Sequence, residues 1–195
     1  TVDCGSLSFD EIKRANELGV DVIVTDHHSV ADTMPDAVAV VNPKRLFADN
    51  PEAYHPKALT RLLPSTRESS RATPSADRIS DNKSGSDKLY PFVDLAGVGV
   101  AFKLVQALQQ KLEGLEAGQE KWLLDLVALG TVCDVVQLRD ENRANVRWGL
   151  EVLRKTRRPG LRALIAVARI KPSQLDARSL GFGLGPRLNA SGRLE

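Results

Sequence analysis

The chain has 195 residues, 42% of them apolar and 27% charged, the balance of a globular protein long enough to bury a core. Lys plus Arg number 27 against 25 Asp plus Glu, a net charge of +2, which excludes a polybasic tail as the main device for holding nucleic acid but leaves room for a local basic groove. No apolar run approaches the roughly 20 residues of a membrane span, the opening residues lack the pattern of a signal peptide, and two cysteines are too few for a disulfide framework, so a reducing cytoplasm is the expected setting.

The chain opens on Thr1-Val2-Asp3-Cys4-Gly5, the pattern of the end of a buried strand, and closes on Gly192-Arg193-Leu194-Glu195. It reads as an internal piece of a longer protein. Ser8 and Glu11 have the spacing of a capping box, and Ile12, Ala15 and Leu18 give the helix that follows one apolar face. Gly19 stands where that helix should stop. Two β-branched runs come next, at 20–24 and 37–41. Strands interleaved with a helix predict a βαβ unit and a parallel sheet flanked by helices, an α/β fold.

Residues 55–89 change character. Seven of these 35 residues are Ser and seven are Lys or Arg, with four acids, so the segment carries +3 and the rest of the chain −1. Such a composition cannot bury enough surface to offset chain entropy, and it predicts a disordered insertion. Beyond it, apolar residues at helical spacing predict a helix over 94–110, with Gly97 and Gly99 marking the close approach of another backbone. Further helices are predicted over 120–129, 142–154 and 159–169, the last with Pro159 in its first turn. Between the first two, Gly130-Thr131-Val132-Cys133-Asp134 reads as a turn toward a short apolar segment. Residues 181–192 are Gly-rich and basic.

The sharpest chemical feature is Thr25-Asp26-His27-His28, directly after the run at 20–24. In an open parallel sheet, ligands bind outside the carboxyl ends of the strands. Asp3 ends the preceding strand, and one helix joins the two strands, so Asp3 is expected beside His27. Carboxylate and imidazole together suit a hard divalent cation such as Mn²⁺ or Mg²⁺. Asp134 is a third candidate, a carboxylate emerging from apolar surroundings, where a cation partner is expected. Gly185 to Arg193 reads either as a phosphate-binding turn, with Arg187, Asn189 and Arg193 as contacts, or as a basic linker.

Val-Asp-Cys-Gly at 2–5, Asp-His-His at 26–28, Leu-Gly-Thr-Val-Cys-Asp at 129–134 and Gly-Pro-Arg-Leu-Asn-Ala-Ser-Gly-Arg at 185–193 resemble successive motifs of the DHH phosphoesterase superfamily. Within it they resemble the RecJ-like exonucleases specific for single-stranded DNA, as does the run Leu95 to Lys103. The resemblance implies two-metal phosphodiester hydrolysis, with two divalent ions roughly 3.5–4 Å apart. It implies that Asp3 bridges the ions, that His27 and Asp134 ligate one of them, that His28 faces the scissile phosphate, and that Asp26 orients the site. Arg187, Asn189 and Arg193 would hold substrate. Single-stranded DNA is then the substrate, repair or replication proteins are candidate partners, and no membrane is involved. The family's first motif, an Asp-x-Asp pair, is not in this chain, nor is its C-terminal substrate-binding domain. Residues 1–180 thus read as a partial DHH domain and 181–195 as the start of a linker, and the chain alone is expected to be inactive. A DHH enzyme acting on cyclic dinucleotides, pyrophosphate or short RNA, or a non-catalytic scaffold, are the competing readings.

Cys4 and Cys133 adjoin Asp3 and Asp134. With Asp3 and Cys4 extended, Cys4 should face away from the metals into the packing between sheet and helix. Cys133 is expected to pack as well, since hard-cation sites favour oxygen and imidazole over sulfur.

Overall fold

In the computed structural model, which describes residues 2–45 and 92–191, the two β-branched runs meet as a parallel pair. Strand β1 (Ile23–Thr25) pairs with β2 (Ala39–Val41), Ile23 opposite Ala39 and Thr25 opposite Val41. On its other edge β1 meets the start of the chain: Val2 bridges to Thr25 in parallel, and the Asp3 N–H donates to the Thr25 carbonyl at 2.9 Å. The helix α1 (Phe9–Glu17) makes the crossover between these two edges and buries Ile12. Ser8 occupies its N-cap, but the hydroxyl makes no capping bond, so the capping box is met in position and not in chemistry. The strand β1 starts later than expected. Gly19 takes a left-handed φ of 71°, and the Val20 N–H turns back to the Ala15 carbonyl at 2.9 Å, so these residues belong to the helix exit.

The rest of the described chain is helical. Helix α2 (Gly97–Lys111) is followed by a 3₁₀ turn (Gln119–Leu123) that leads into α3 (Leu124–Cys133). Helices α4 (Asp140–Leu153) and α5 (Pro159–Val167) come next. A π-helical stretch (Ser179–Leu184) then runs on into α6 (Gly185–Ser191). Helix α3 is apolar on nearly every side, as a helix enclosed by others must be. It packs on α2 where Gly130 faces Val98, on α4 at Gly149, and on α6 where Cys133 faces Gly185. Below it Leu129, Leu153, Leu161, Ile165, Leu175 and Leu180 form one apolar core.

Three expectations change here. The helix expected from 94 begins at Gly97, because buried Asn142 holds the preceding backbone: its side chain accepts from the Ala96 N–H and donates to the Asp94 carbonyl. Residues 130–133 do not turn but complete α3, with the Asp134 N–H bonded to the Gly130 carbonyl at 2.9 Å. The described part of 185–193, read as a phosphate-binding turn or a basic linker, is helical. The segment 55–89 lies outside the described residues. No helix among the described residues is long and apolar enough to cross a membrane.

Gly149 marks the tightest helix contact. A methyl group there would stand 2.2 Å from the Leu124 carbonyl oxygen and 2.4 Å from Ala128 Cβ. Gly149→Ala should cost about 2–3 kcal/mol by forcing α3 and α4 apart. Gly160→Ala, in the first turn of α5 with nothing within 4 Å, should be neutral or gain about 0.5 kcal/mol. Urea denaturation of the two variants checks this; equal stabilities would contradict the packing described.

Candidate metal centre

Asp3, Asp26, His27 and His28 all leave the same edge of the sheet, at the carboxyl ends of their strands. Asp26 is 2% exposed and has only oxygen acceptors to offer. Its Oδ2 accepts from the Ser6 N–H at 2.9 Å, and its Oδ1 from the His27 N–H at 2.8 Å and the His28 N–H at 3.2 Å. The His28 ring adds Nδ1 at 2.8 Å from Oδ1. Burial alone would raise the Asp26 pKa, but the donors from Ser6 and His28 outweigh it and hold the carboxyl well below the usual carboxylate range. Asp26 is therefore an ionised hub. Facing an ionised carboxylate, His28 Nδ1 carries the proton, and the half-exposed ring keeps Nε2 for other partners.

His27 is nearly buried, its ring centroid 4.4 Å from that of His28. Its Nε2 lies 3.0 Å from Asp3 Oδ1 and 3.4 Å from Asp134 Oδ2. Neither contact has hydrogen-bond geometry: His27 Nε2 and Asp134 Oδ2 are buried atoms without a hydrogen-bond partner among the described residues. Burial pushes the Asp134 carboxyl above its ordinary value; His27 opposes this and Asp3 adds to it. Asp134 also caps the C-terminal end of α3, where the helix dipole disfavours an anion. Each of these costs falls if a cation sits among the three side chains. Two donors about 2.1 Å from one ion, at angles between octahedral and tetrahedral, are about 3.0–3.4 Å apart, and the observed separations match. The donor set therefore fits a divalent cation. Asp3, His27 and His28 also form a group whose potential ligand atoms lie within 4.8 Å of one another.

Backbone strain gathers at this site. Asp3 itself has φ 60°, in the left-handed region, so the extended Asp3-Cys4 expected from sequence is corrected: Cys4 is exposed and does not pack between sheet and helix. Val135, next to Asp134, has φ 59°, rare for a β-branched residue, and 88% of it is exposed. Cys133 behaves as expected, packed against the apolar core with its thiol pKa raised by burial.

Sequence reasoning missed two residues that hold the site, Ser6 and Asn42, and misread the partner of a third, Gly97. Ser6 is fully buried; besides its N–H to Asp26, its hydroxyl accepts from Asn42 at 2.9 Å. Asn42, just past β2, also donates to the His28 carbonyl at 3.0 Å and accepts from the Lys44 N–H. A polar residue before Pro43 at a strand end was the available signal. Gly97 opens α2, and a methyl there would stand 2.2 Å from Asp3 Oδ1. The close approach at Gly97 is thus a carboxylate and not another backbone, and at Gly99 it is the Leu95 side chain. The glycine lets the N-terminal end of α2, with its free N–H groups, face the Asp3 carboxylate.

The structure does not bring Arg187 or Asn189 into contact with these groups. Both are exposed on α6; Arg187 donates to the Gly183 carbonyl at 2.5 Å and lines an apolar groove with Leu161, Leu164 and Val167. Arg193 lies outside the described residues.

Residues 1–131 match the model described as the DHH family, N-terminal domain. The chain belongs to the DHH family. It is 39% identical over its full length to the single-stranded-DNA-specific exonuclease RecJ of Bacillus subtilis, of which it covers 19%, and 38% identical to that of Escherichia coli, of which it covers 28%. Among solved structures it is similar to RecJ from Thermus thermophilus in complex with Mn²⁺, with a TM-score of 0.64 and 30% identity, all of this chain covering 22% of that one. A second, an exonuclease RecJ bound to manganese, gives a TM-score of 0.63 at 30% identity, over 38% of its chain. This DHH chain thus spans less than a third of the curated relatives named here.

Gly97→Ala should displace Asp3 and weaken Mn²⁺ binding by roughly tenfold or more, measured by calorimetry, with the helical circular-dichroism spectrum kept. Asn42→Ala should do so less, because it acts through Ser6 and His28. Unchanged Mn²⁺ affinity in Gly97→Ala would show that Asp3 holds no ion.

Proposed function

We propose that this chain carries the metal-binding half of a phosphodiesterase active site, and that the protein is a RecJ-like exonuclease that hydrolyses single-stranded DNA. One observation carries the reading: His27 Nε2 lies 3.0 Å from Asp3 Oδ1 and 3.4 Å from Asp134 Oδ2, and no hydrogen bond is formed among the three. The substrate comes from the relatives, which are named for single-stranded DNA, and the metal from the solved structures, which hold Mn²⁺. Two divalent ions, Mn²⁺ or Mg²⁺, are the proposed complement, and Asp3 would be the carboxylate shared between them.

When bound, such ions lower the pKa of a water nucleophile and offset charge building on the phosphate. The chain's own residues do the rest. Asp3, His27 and Asp134 hold the ions; no protein nucleophile is required. His28, turned outward by its bond to Asp26, can present Nε2 to a phosphate oxygen and, when protonated, donate to it as charge develops there. Asp26 acts through His28 and through the backbone of both histidines and touches no substrate. Arg187 and Asn189 would serve substrate farther along the strand, with Arg193. A role in DNA repair and recombination in the cytoplasm, alongside other repair or replication proteins, follows from the proposed activity.

In the full-length protein, Asp3→Ala and Asp134→Ala should abolish both Mn²⁺ binding and metal-dependent degradation of 5′-labelled single-stranded DNA. His28→Ala should keep Mn²⁺ binding while lowering kcat by about a hundredfold or more. Loss of Mn²⁺ in all three variants would overturn the role given to His28. Cleavage of a cyclic dinucleotide in preference to the single strand would overturn the substrate.

A further inference from the structure

The chain's two tryptophans, Trp122 and Trp148, are 62% and 58% exposed, an unusual cost for the largest apolar side chains unless something covers them. Both line one pocket of about 530 Å³ between α2, the start of α3, and α4, with Phe102 at its floor and Lys121 and Lys155 at its walls. Trp122 and Lys155 also line an adjoining pocket of about 500 Å³ that adds Arg157 and Arg158. The two pockets form one groove with an aromatic floor and a basic rim. Its acids are largely neutralised: Glu151 pairs with Arg154 at 2.6 Å, and Asp125 with Arg158 at 3.0 Å, leaving half-buried Glu120. Lys121, Lys155 and Arg157 are exposed and take no part in the ion pairs of the described residues. The Arg147 guanidinium lies over the Trp148 ring, 5.7 Å from its centroid.

We infer that this groove is a second binding site for single-stranded nucleic acid, separate from the metal centre, with bases stacked on Trp122 and Trp148 and phosphates met by Lys121, Lys155 and Arg157. Aromatic faces set among cations take any base, because each has a π-face, and the cations answer the backbone charge. Helix α3 joins the groove to the metal centre: Trp122 precedes its first turn and Asp134 follows its last, about 18 Å apart at 1.5 Å per residue. A strand held at both places fits the footprint of about 4–16 nucleotides typical of such sites. The inference shares the substrate class of the proposed function but needs no metal.

Trp122 and Trp148 are the only tryptophans among these 195 residues, so intrinsic fluorescence of this chain reports on the groove alone. In EDTA, which removes the metal route to DNA, an oligothymidylate of about 12 nucleotides should quench that fluorescence. With about three phosphates neutralised, log K should fall by about 2 per tenfold rise in salt. By anisotropy of the labelled oligonucleotide, Trp122→Ala and Trp148→Ala should each weaken binding by roughly tenfold, while Trp122→Phe and Trp148→Phe keep most of the affinity. Circular dichroism confirms that each variant is folded. Absence of quenching in the folded chain, or equal affinity of the Ala variants and the parent, would overturn the inference. Quenching by an acidic peptide but not by the oligonucleotide would also overturn it and assign the groove to a protein partner. If the metal-centre reading alone is wrong, this chain still binds the oligonucleotide in EDTA while Asp3→Ala leaves cleavage by the full-length protein unchanged; if the groove alone is wrong, the full-length protein still cleaves while this chain shows no quenching.

Discussion

The Asp26 carboxylate is almost wholly shut off from water, and it stays ionised because donors surround it: the backbone N–H groups of Ser6, His27 and His28, the Ser6 side chain and the His28 imidazole. A buried charge of this kind is stable only while its partners stay in place, since losing one leaves a desolvated anion short of a bond. The constraint fixes the turn after β1. It ties that turn to Ser6 across the sheet, and Ser6 and Asn42 then tie it to the end of β2. The outcome is that adjacent histidines, their ring centroids 4.4 Å apart, meet different partners. His27 is driven inward toward Asp3 and Asp134, and His28 is held outward by its own ring nitrogen.

Helix α3 answers the same demand from the other side. Its apolar body can be buried on nearly all faces, so its end can be placed with little freedom against the sheet. Gly130, Gly149 and the Cys133–Gly185 contact let neighbouring helices close on it without gaps. That rigidity delivers Asp134, which sits uncomfortably in its place: buried, at a helix C-terminus and near a second carboxylate. The left-handed Asp3 and Val135 lie on either side of the same cluster. Charge and strain thus concentrate where a cation would relieve the first, and the packed core on both sides maintains the second.

Much of this was legible in the residues. The β-branched runs, the helix between strand ends, and the Asp-His-His that follows β1 are local patterns, and the physics that reads them is local too: side-chain period, capping and strand-end chemistry. From them came the parallel sheet and the neighbourhood of Asp3 and His27. The strand starts were misplaced because Val20 has the propensity of a strand residue but spends its N–H on the exit of α1. Gly97 was noticed as a point of close approach, yet only the fold could say that the approaching group is a carboxylate.

Composition and motif spacing alone therefore determined the class of fold, the run of elements and the chemical identity of the donors, since these depend on contacts within a few residues along the chain. Tertiary structure decided the rest. It brought Asp134, 131 positions after Asp3, to within 3.4 Å of the imidazole that Asp3 also faces. It recruited Ser6, Asn42 and Gly97 to hold those groups, kept Arg187 and Asn189 out of contact with them, and gathered two tryptophans from different helices into one groove. Such juxtapositions depend on how the helices pack around α3, and no stretch of sequence carries that information, because a packing contact is a property of two surfaces and not of either one.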